Sequence, residues 1–310
     1  MRFHKVIHWE ALLRCSHGML YPRLIDRDTG DPVSPRYLLL VDSDPAIHEN
    51  LRNLLKRDDR RIEEAYDGHE ALKRLRAHEC DVVVAGPGRN GFDGLKLLQR
   101  IRSVQPDARV IVTGDADPVR VVGAIRARAY SYFHKPLATG AFSDMVQQAL
   151  DASSWKDDIR VISARPEWIT LDLRCKLDAA ERTTHFLREV EADLPVHTRE
   201  DVCAAFRELL MNAVEHGGKS DPRKRVRVSL LRTSTSLIVH IHDPGTGFSL
   251  EFLPHAAISN PAGAPTKHVE VREEQGQRPG GFGILMTRNL VDDLLYNERG
   301  NAVMFVKHLK

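Results

Sequence analysis

No run in this chain approaches the roughly 18 uncharged apolar residues that a membrane-spanning helix needs, so no segment reads as transmembrane and no membrane partner is expected. Charges interrupt every short apolar stretch of the opening MRFHKVIHWEALLRCSHG, which makes a poor signal peptide. Cysteine is scarce: Cys15, Cys80, Cys175 and Cys203 are scattered, with no CxxC pair and no histidine cluster at metal spacing. That excludes a disulfide scaffold and a zinc module, and fits reduced core thiols in a cytoplasmic protein. Charge of one sign is also lacking, with 45 basic residues against 43 acidic ones and a formal charge of +2. The basic run DPRKRVRV (221–228) reads as a solvated strand edge, and no direct nucleic-acid binding is expected.

What is present is a chain of 310 residues, long enough for two domains with their own cores. Residues 1–35 form an N-terminal extension that carries no readable signal. From 36 to 152 the pattern alternates strand and helix. YLLLVD (37–42), CDVVVAG (80–86) and ARVIVTG (108–114) are near-continuous apolar runs, as parallel strands buried on both faces require, and SYFH (131–134) is a shorter one. Helices fall between them, from Pro45 to Arg57, over 94–104 with Leu95, Leu98 and Ile101 at helical spacing, and over 141–152. This grammar predicts an α/β doubly wound parallel sheet of flavodoxin-like type.

A polar joint, 153–158, separates this unit from a second domain at 159–310. Strand-like IRVIS (159–163) and WITLDLRC (168–175) are followed by a helix opening at Asp178 as N-cap and a second helix over 199–216. Strands at 225–232 and 236–243, a helix over 283–293 and a last strand at 302–309 complete an α+β two-layer arrangement.

Three stretches of this second domain carry chemistry. In RELLMNAVEHG, Glu208, Asn212 and His216 are spaced by four and share one helix face. A carboxamide oxygen suits a hard cation such as magnesium, and a carboxylate one turn away can take a proton. In HDPGTGF a strand ends on Asp243, able to accept a hydrogen bond from an adenine amino group, and Gly245 and Gly247 allow close backbone approach. In RPGGFGILMTRNLVDDLLY, Gly280, Gly281 and Gly283 lead into a helix whose first N–H groups can receive phosphate.

In order and spacing this set resembles the GHKL (Bergerat) ATP-binding fold, and within it the anti-sigma-factor serine kinases of partner-switching systems, over roughly residues 160–310. The resemblance implies ATP and Mg2+ as cofactors and a protein serine/threonine kinase activity. It makes Glu208 the catalytic base, Asn212 the magnesium ligand and Asp243 the reader of adenine. Gly245 and Gly247 would lie beneath the base and Gly281 and Gly283 beside the phosphates. His216 matches a position that is often histidine in that group and is given a structural reading. Residues 250–279 would be the ATP lid, with Lys267 and Arg278 as candidates for touching phosphate. An anti-sigma-factor antagonist or a sigma factor would be the partner, and homodimerisation is implied for both halves. Histidine kinases share the fold, but the His185 segment RTTHFLREV lacks the acidic residue and proline of a phospho-accepting box.

The first domain resembles a response-regulator receiver through LLLVDSDPAI (38–47), FDG (92–94), VIVTG (110–114) and YFHKP (132–136). Receivers place their phospho-accepting aspartate seven residues before the Asp of that turn. Here the place belongs to Gly86, and the acidic pair is reduced to Asp42 with Ser43 beside it. Asp81, the nearest upstream carboxylate, begins the strand at its far end. Without nucleophile or oxygen cluster, this is expected to be a pseudo-receiver that works by binding. An ATP-gated binding module without turnover is the alternative function.

Overall fold

The computed structural model describes residues 35–309 apart from 90–92, 153, 249–266, 268–273 and 275–281. It also describes a short antiparallel pair, β1 (Leu24–Ile25) and β2 (Pro32–Val33).

The first sheet has five parallel strands: β3 (Arg36–Val41), β4 (Arg60–Ala65), β5 (Val82–Ala85), β6 (Arg109–Gly114) and β7 (Ser131–His134). Their order is β4-β3-β5-β6-β7, the doubly wound topology expected. Strands β3, β5 and β6 bury Leu38 to Val41, Val82 to Ala85 and Val110 to Val112 on both faces. Helices α1 (Pro45–Leu55), α2 (Gly68–Ala77), α3 (Gly94–Val104), α4 (Pro118–Arg126) and α5 (Thr139–Asp151) connect and follow them. Four of these open on aspartate caps: Asp44, Asp67, Asp93 and Asp117 each accept a backbone N–H of the first turn. The edge strand β4, RRIEEA, has no apolar run. Its Glu63 and Glu64 are instead held by Arg61, Arg74 and Arg52.

The second sheet has six antiparallel strands: β8 (Ile159–Arg165), β9 (Trp168–Arg174), β10 (Arg225–Arg232), β11 (Ser236–His242), β12 (Asp293–Tyr296) and β13 (Ala302–His308). They lie in the order β12-β13-β11-β10-β9-β8. Alternate residues, among them Val226, Val228, Leu230, Val239, Ile241 and Phe305, face inward. Helices α6 (Leu177–Val190), α7 (Val196–Asn212) and α8 (Gly283–Leu290) belong to this layer.

Three boundaries differ from expectation. Lys176, not Asp178, is the N-cap of α6, and Asp178 sits in the first turn, where negative charge suits the helix dipole. Helix α7 begins at Val196, directly after Pro195. Helix α8 stops at Leu290, because residues 293–296 pair in register with β13, Leu294 opposite Phe305.

The two domains share one apolar core. Elements α4 and β7 of the first domain pack on α6 and β8 of the second domain. Ile125 of α4 lines a small cavity together with Ile169, Leu171, Phe186 and Val228, so a side chain of the first domain fills space between the second sheet and its helix. Polar contacts frame this junction. His185 Nε2 lies 2.7 Å from the Tyr132 carbonyl oxygen, and the His185 ring stacks on Phe133 with centroids 4.0 Å apart. Burial pushes His185 down to about 4, which keeps the imidazole neutral. In the joint between the domains, Trp155 is buried against Tyr130.

Candidate functional site

Helix α7 carries two of the singled-out residues toward α8. Its apolar stripe, including Val202, Phe206, Leu209 and Leu210, is buried, which turns Glu208 and Asn212 to the other side. Asn212 Nδ2 donates to Glu208 Oε1 at 3.3 Å. Gly283, the first residue of α8, comes so close that a Cβ there would stand 1.7 Å from Glu208 Oε1. Glu208, Asn212 and the start of α8 therefore form one constellation, and a side chain at 283 would displace the Glu208 carboxylate.

Beyond Asn212 the helix widens into a π turn, Ala213–Gly217, closed by Gly218 N donating to Ala213 O at 2.8 Å. Such turns recur at functional sites. The wider turn breaks the four-residue spacing from Asn212 to His216, and His216 is exposed. The turn also delivers Gly217 onto Asp243: a Cβ at 217 would lie 2.3 Å from Asp243 Cγ. Asp243 is thus tied to the same helix run that holds Glu208 and Asn212. Its Oδ1 accepts the Gly245 N–H at 2.7 Å, and burial raises its pKa.

Gly247 takes φ +84°, and a Cβ there would meet the Arg299 carbonyl oxygen at 1.8 Å. The loop after β11 is consequently seated on the β12–β13 hairpin. Asn301 fastens this seat. Its carbonyl accepts Asp243 N–H at 2.9 Å, and its side-chain oxygen accepts from Asn297 Nδ2 at 3.0 Å. Sequence reasoning missed Gly217 and Asn301. The doubled glycine after VEH was a signal for the first; nothing local marks the second. Gly281, Arg278 and the expected lid lie outside the described residues, apart from Lys267 and Glu274.

Residues for a magnesium–nucleotide complex fit. The Asn212 amide is turned by its bond to Glu208, which leaves Oδ1 free as a ligand. Magnesium commonly takes one or two protein oxygens and completes its shell with phosphates and water. No cluster of three or more His, Cys, Asp or Glu able to hold a metal by themselves occurs among the described residues.

The receiver pocket is closed. Lys135 Nζ lies 2.6 Å from Asp42 Oδ2, while Asp42 Oδ1 accepts the Asp44 N–H at 3.1 Å. A Cβ on Gly86 would lie 2.2 Å from Asp42 Oδ2 and 2.9 Å from Thr113 Oγ1. Asp44 is engaged as the α1 cap. Asp81 sits at the opposite end of the sheet, where it accepts the Tyr37 N–H at 2.9 Å and pairs with Arg36. Among the described residues, the carboxylates near Gly86 are thus all engaged: Asp42 by Lys135 and Asp44 as a helix cap. No helix among the described residues is long and apolar enough to cross a membrane.

Comparison with known proteins finds two domain families along the chain. Residues 38–147 match the response regulator receiver domain, and residues 173–307 match the histidine kinase-like ATPase domain. The response regulator MprA of Mycobacterium avium (strain 104) is 31% identical over 137 residues, 44% of this chain and 60% of that protein. MprA of Mycolicibacterium vanbaalenii is 36% identical over 106 residues, 34% of this chain and 46% of that protein. The chain thus spans about 60% or less of these curated relatives. A solved signal receiver domain of an HD domain-containing protein from Pseudomonas fluorescens Pf-5 shares 30% identity, with a TM-score of 0.36, over 39% of this chain and 90% of that one. The chain therefore carries a response regulator receiver domain at residues 38–147, followed by a histidine kinase-like ATPase domain at residues 173–307.

Proposed function

We propose that the protein is an ATP- and magnesium-dependent serine/threonine kinase of the anti-sigma-factor, partner-switching type, governed by a receiver domain that cannot be phosphorylated. The observation that carries this reading is Glu208 placed 3.3 Å from the Asn212 amide and directly beneath Gly283. Bound Mg–ATP would supply the γ-phosphoryl group with its charge partly neutralised. Asn212 Oδ1 would hold the cation, Asp243 Oδ2 would accept from the adenine amino group, and the α8 N-terminus would receive phosphate oxygens. Glu208 takes the proton of a serine hydroxyl as its oxygen bonds to phosphorus and ADP leaves. The serine would belong to an antagonist protein that competes with a sigma factor for this chain, and the chain would act as a homodimer.

A second reading keeps ATP binding and drops turnover: nucleotide orders the lid and changes partner choice. Calorimetric titration with ATP, with and without magnesium, tests the part both readings share. Wild type should bind only weakly without magnesium, and Asn212→Ala should lose the magnesium dependence. No ATP binding by wild type would end both readings. Phosphoryl transfer that survives Glu208→Ala would remove that residue as the base.

A further inference from the structure

Arg182 is the anomaly of the domain junction. It projects from α6, is 2% exposed, and has no carboxylate partner among the described residues. Its Nε donates to the Tyr130 carbonyl oxygen at 3.0 Å, and its guanidinium lies 4.1 Å from the centre of the Tyr130 ring and 5.6 Å from that of Trp155. Nη1 is buried with nothing to donate to. The carboxylates whose charge reaches it, Asp158 and Asp178, are already held by Lys176 at 2.8 and 3.5 Å. A buried guanidinium in this position is under-compensated, because a carbonyl and two ring faces offer partial charge only.

Two further cations stand at the same cavity of about 20 Å³ as Arg182: Arg128, an exposed residue, and Lys156, which is paired with Asp107. Arg102 stands 4.7 Å over the Trp155 ring, and its hydrogen bonds go to the carbonyls of Pro106, Ala108 and Arg128 rather than to carboxylates. Burial, and after it the neighbouring Arg128 and Arg182, push Arg102 down to about 10. Ile125, Ile159 and Phe186 make up much of the remaining wall.

We propose that this cavity is a binding site for one small monatomic anion of the chloride class, held by Arg182 Nη1 with Arg128 and Lys156 around it. The volume admits one water-sized particle, which is too little for a whole phosphate. Water would satisfy the N–H but leave the positive charge uncancelled, whereas a weakly hydrated halide suits a pocket of cations and apolar walls. The anion would touch three segments at once: α6 of the ATPase domain, the receiver segment between α4 and β7, and the joint at Trp155 and Lys156. It would therefore tighten the docking of one domain on the other. The site is independent of any kinase activity.

The test uses the full chain. Thermal unfolding is compared in sodium chloride and sodium gluconate at equal ionic strength, which cancels general screening. Chloride should raise the unfolding midpoint of wild type by a few degrees over gluconate, and bromide should do the same. Arg182→Met should abolish the difference. Because that variant could fail to fold, wild-type crystals soaked in bromide supply a direct reading, with an anomalous peak expected within hydrogen-bonding reach of Arg182 Nη1. Equal midpoints in the two salts, or bromide-soaked crystals with no such peak, would overturn the proposal and leave a water in the cavity.

Discussion

Glu189 of α6 reaches across the domain junction to His134 of β7: the His134 backbone N–H donates to Glu189 Oε2 at 2.8 Å, and His134 Nδ1 lies 2.7 Å from the same oxygen. Glu189 is 3% exposed, and His134 directly precedes Lys135, whose ammonium closes the receiver pocket on Asp42. The pocket that lost its aspartate and the helix that packs on α7 are thus joined through two adjacent residues. Glu189→Ala would strip a buried backbone N–H of its acceptor, at a cost of about 2–4 kcal/mol. Urea unfolding should show the loss, and an unchanged midpoint would mean that the bond does not hold the domains together.

Truncating Ile125 tests the shared core from the receiver side. This receiver residue lines a cavity in the ATPase domain, so Ile125→Ala should destabilise by about 2–4 kcal/mol. Probes placed in each domain should report that loss together. A loss confined to the receiver probe would show that the domains unfold separately.

A pH dependence follows from Glu191, which is fully buried. Its Oε2 lies 3.0 Å from Arg232 Nη1, yet neither carboxylate oxygen makes a well-directed hydrogen bond. Burial pushes it up to about 7. Below pH 4.5 folded and unfolded states are both protonated. Between 4.5 and 7 only the folded state keeps its proton, so stability falls as pH rises and levels off above 7. His185, pushed down to about 4, has the opposite slope between 4 and 6.5, so the comparison must be between variant and wild type. Glu191→Gln should gain on wild type by about 3 kcal/mol between pH 5 and pH 8. A constant difference across that range would contradict a buried carboxylate whose proton is held by burial.

Two glycines separate chemistry from binding. Gly283→Ala would drive a methyl into Glu208 Oε1, the movable end of a side chain, so stability should change by less than about 1 kcal/mol. Phosphoryl transfer should fall at least about tenfold, a shift of about 1.4 kcal/mol in barrier. Gly217→Ala would press on Cβ and Cγ of Asp243, which cannot swing away, and should weaken ATP binding more than Gly283→Ala does. Calorimetry and transfer assays on both variants check the split, and the reverse order would exchange the roles assigned to the two ends of the site.

The receiver pocket should ignore phosphodonors. Wild type incubated with acetyl phosphate should keep its mass. Gly86→Asp should not restore the reaction, because its Cβ would fall where Asp42 Oδ2 pairs with Lys135. The variant should instead lose about 1–3 kcal/mol of stability. A phosphorylated Gly86→Asp protein would show that the ion pair opens readily.

Much of this architecture was legible from local pattern. Apolar strands at 37–42, 80–86 and 108–114 announce a parallel sheet, since burial on both faces leaves no room for alternation. Strand β4 lacks the apolar run of the other strands because its glutamates are satisfied by arginines of the strand itself and of α1 and α2, which no periodicity records. Glu208 and Asn212 share a face by helix geometry alone, whereas Asn301 reaches Asp243 only through the β12–β13 hairpin.

Taken by itself, the chain of residues determined the two folds, the missing carboxylate at Gly86 and the side chains gathered on α7, because each depends on spacing within one element. Tertiary structure alone decided that Gly283 lies against Glu208, that Gly217 carries Asp243, and that Ile125, Arg182 and Glu189 make the two domains one body. Those relationships join residues far apart in the chain, and they arise from how packed surfaces meet, which the order of residues along a strand or helix does not contain.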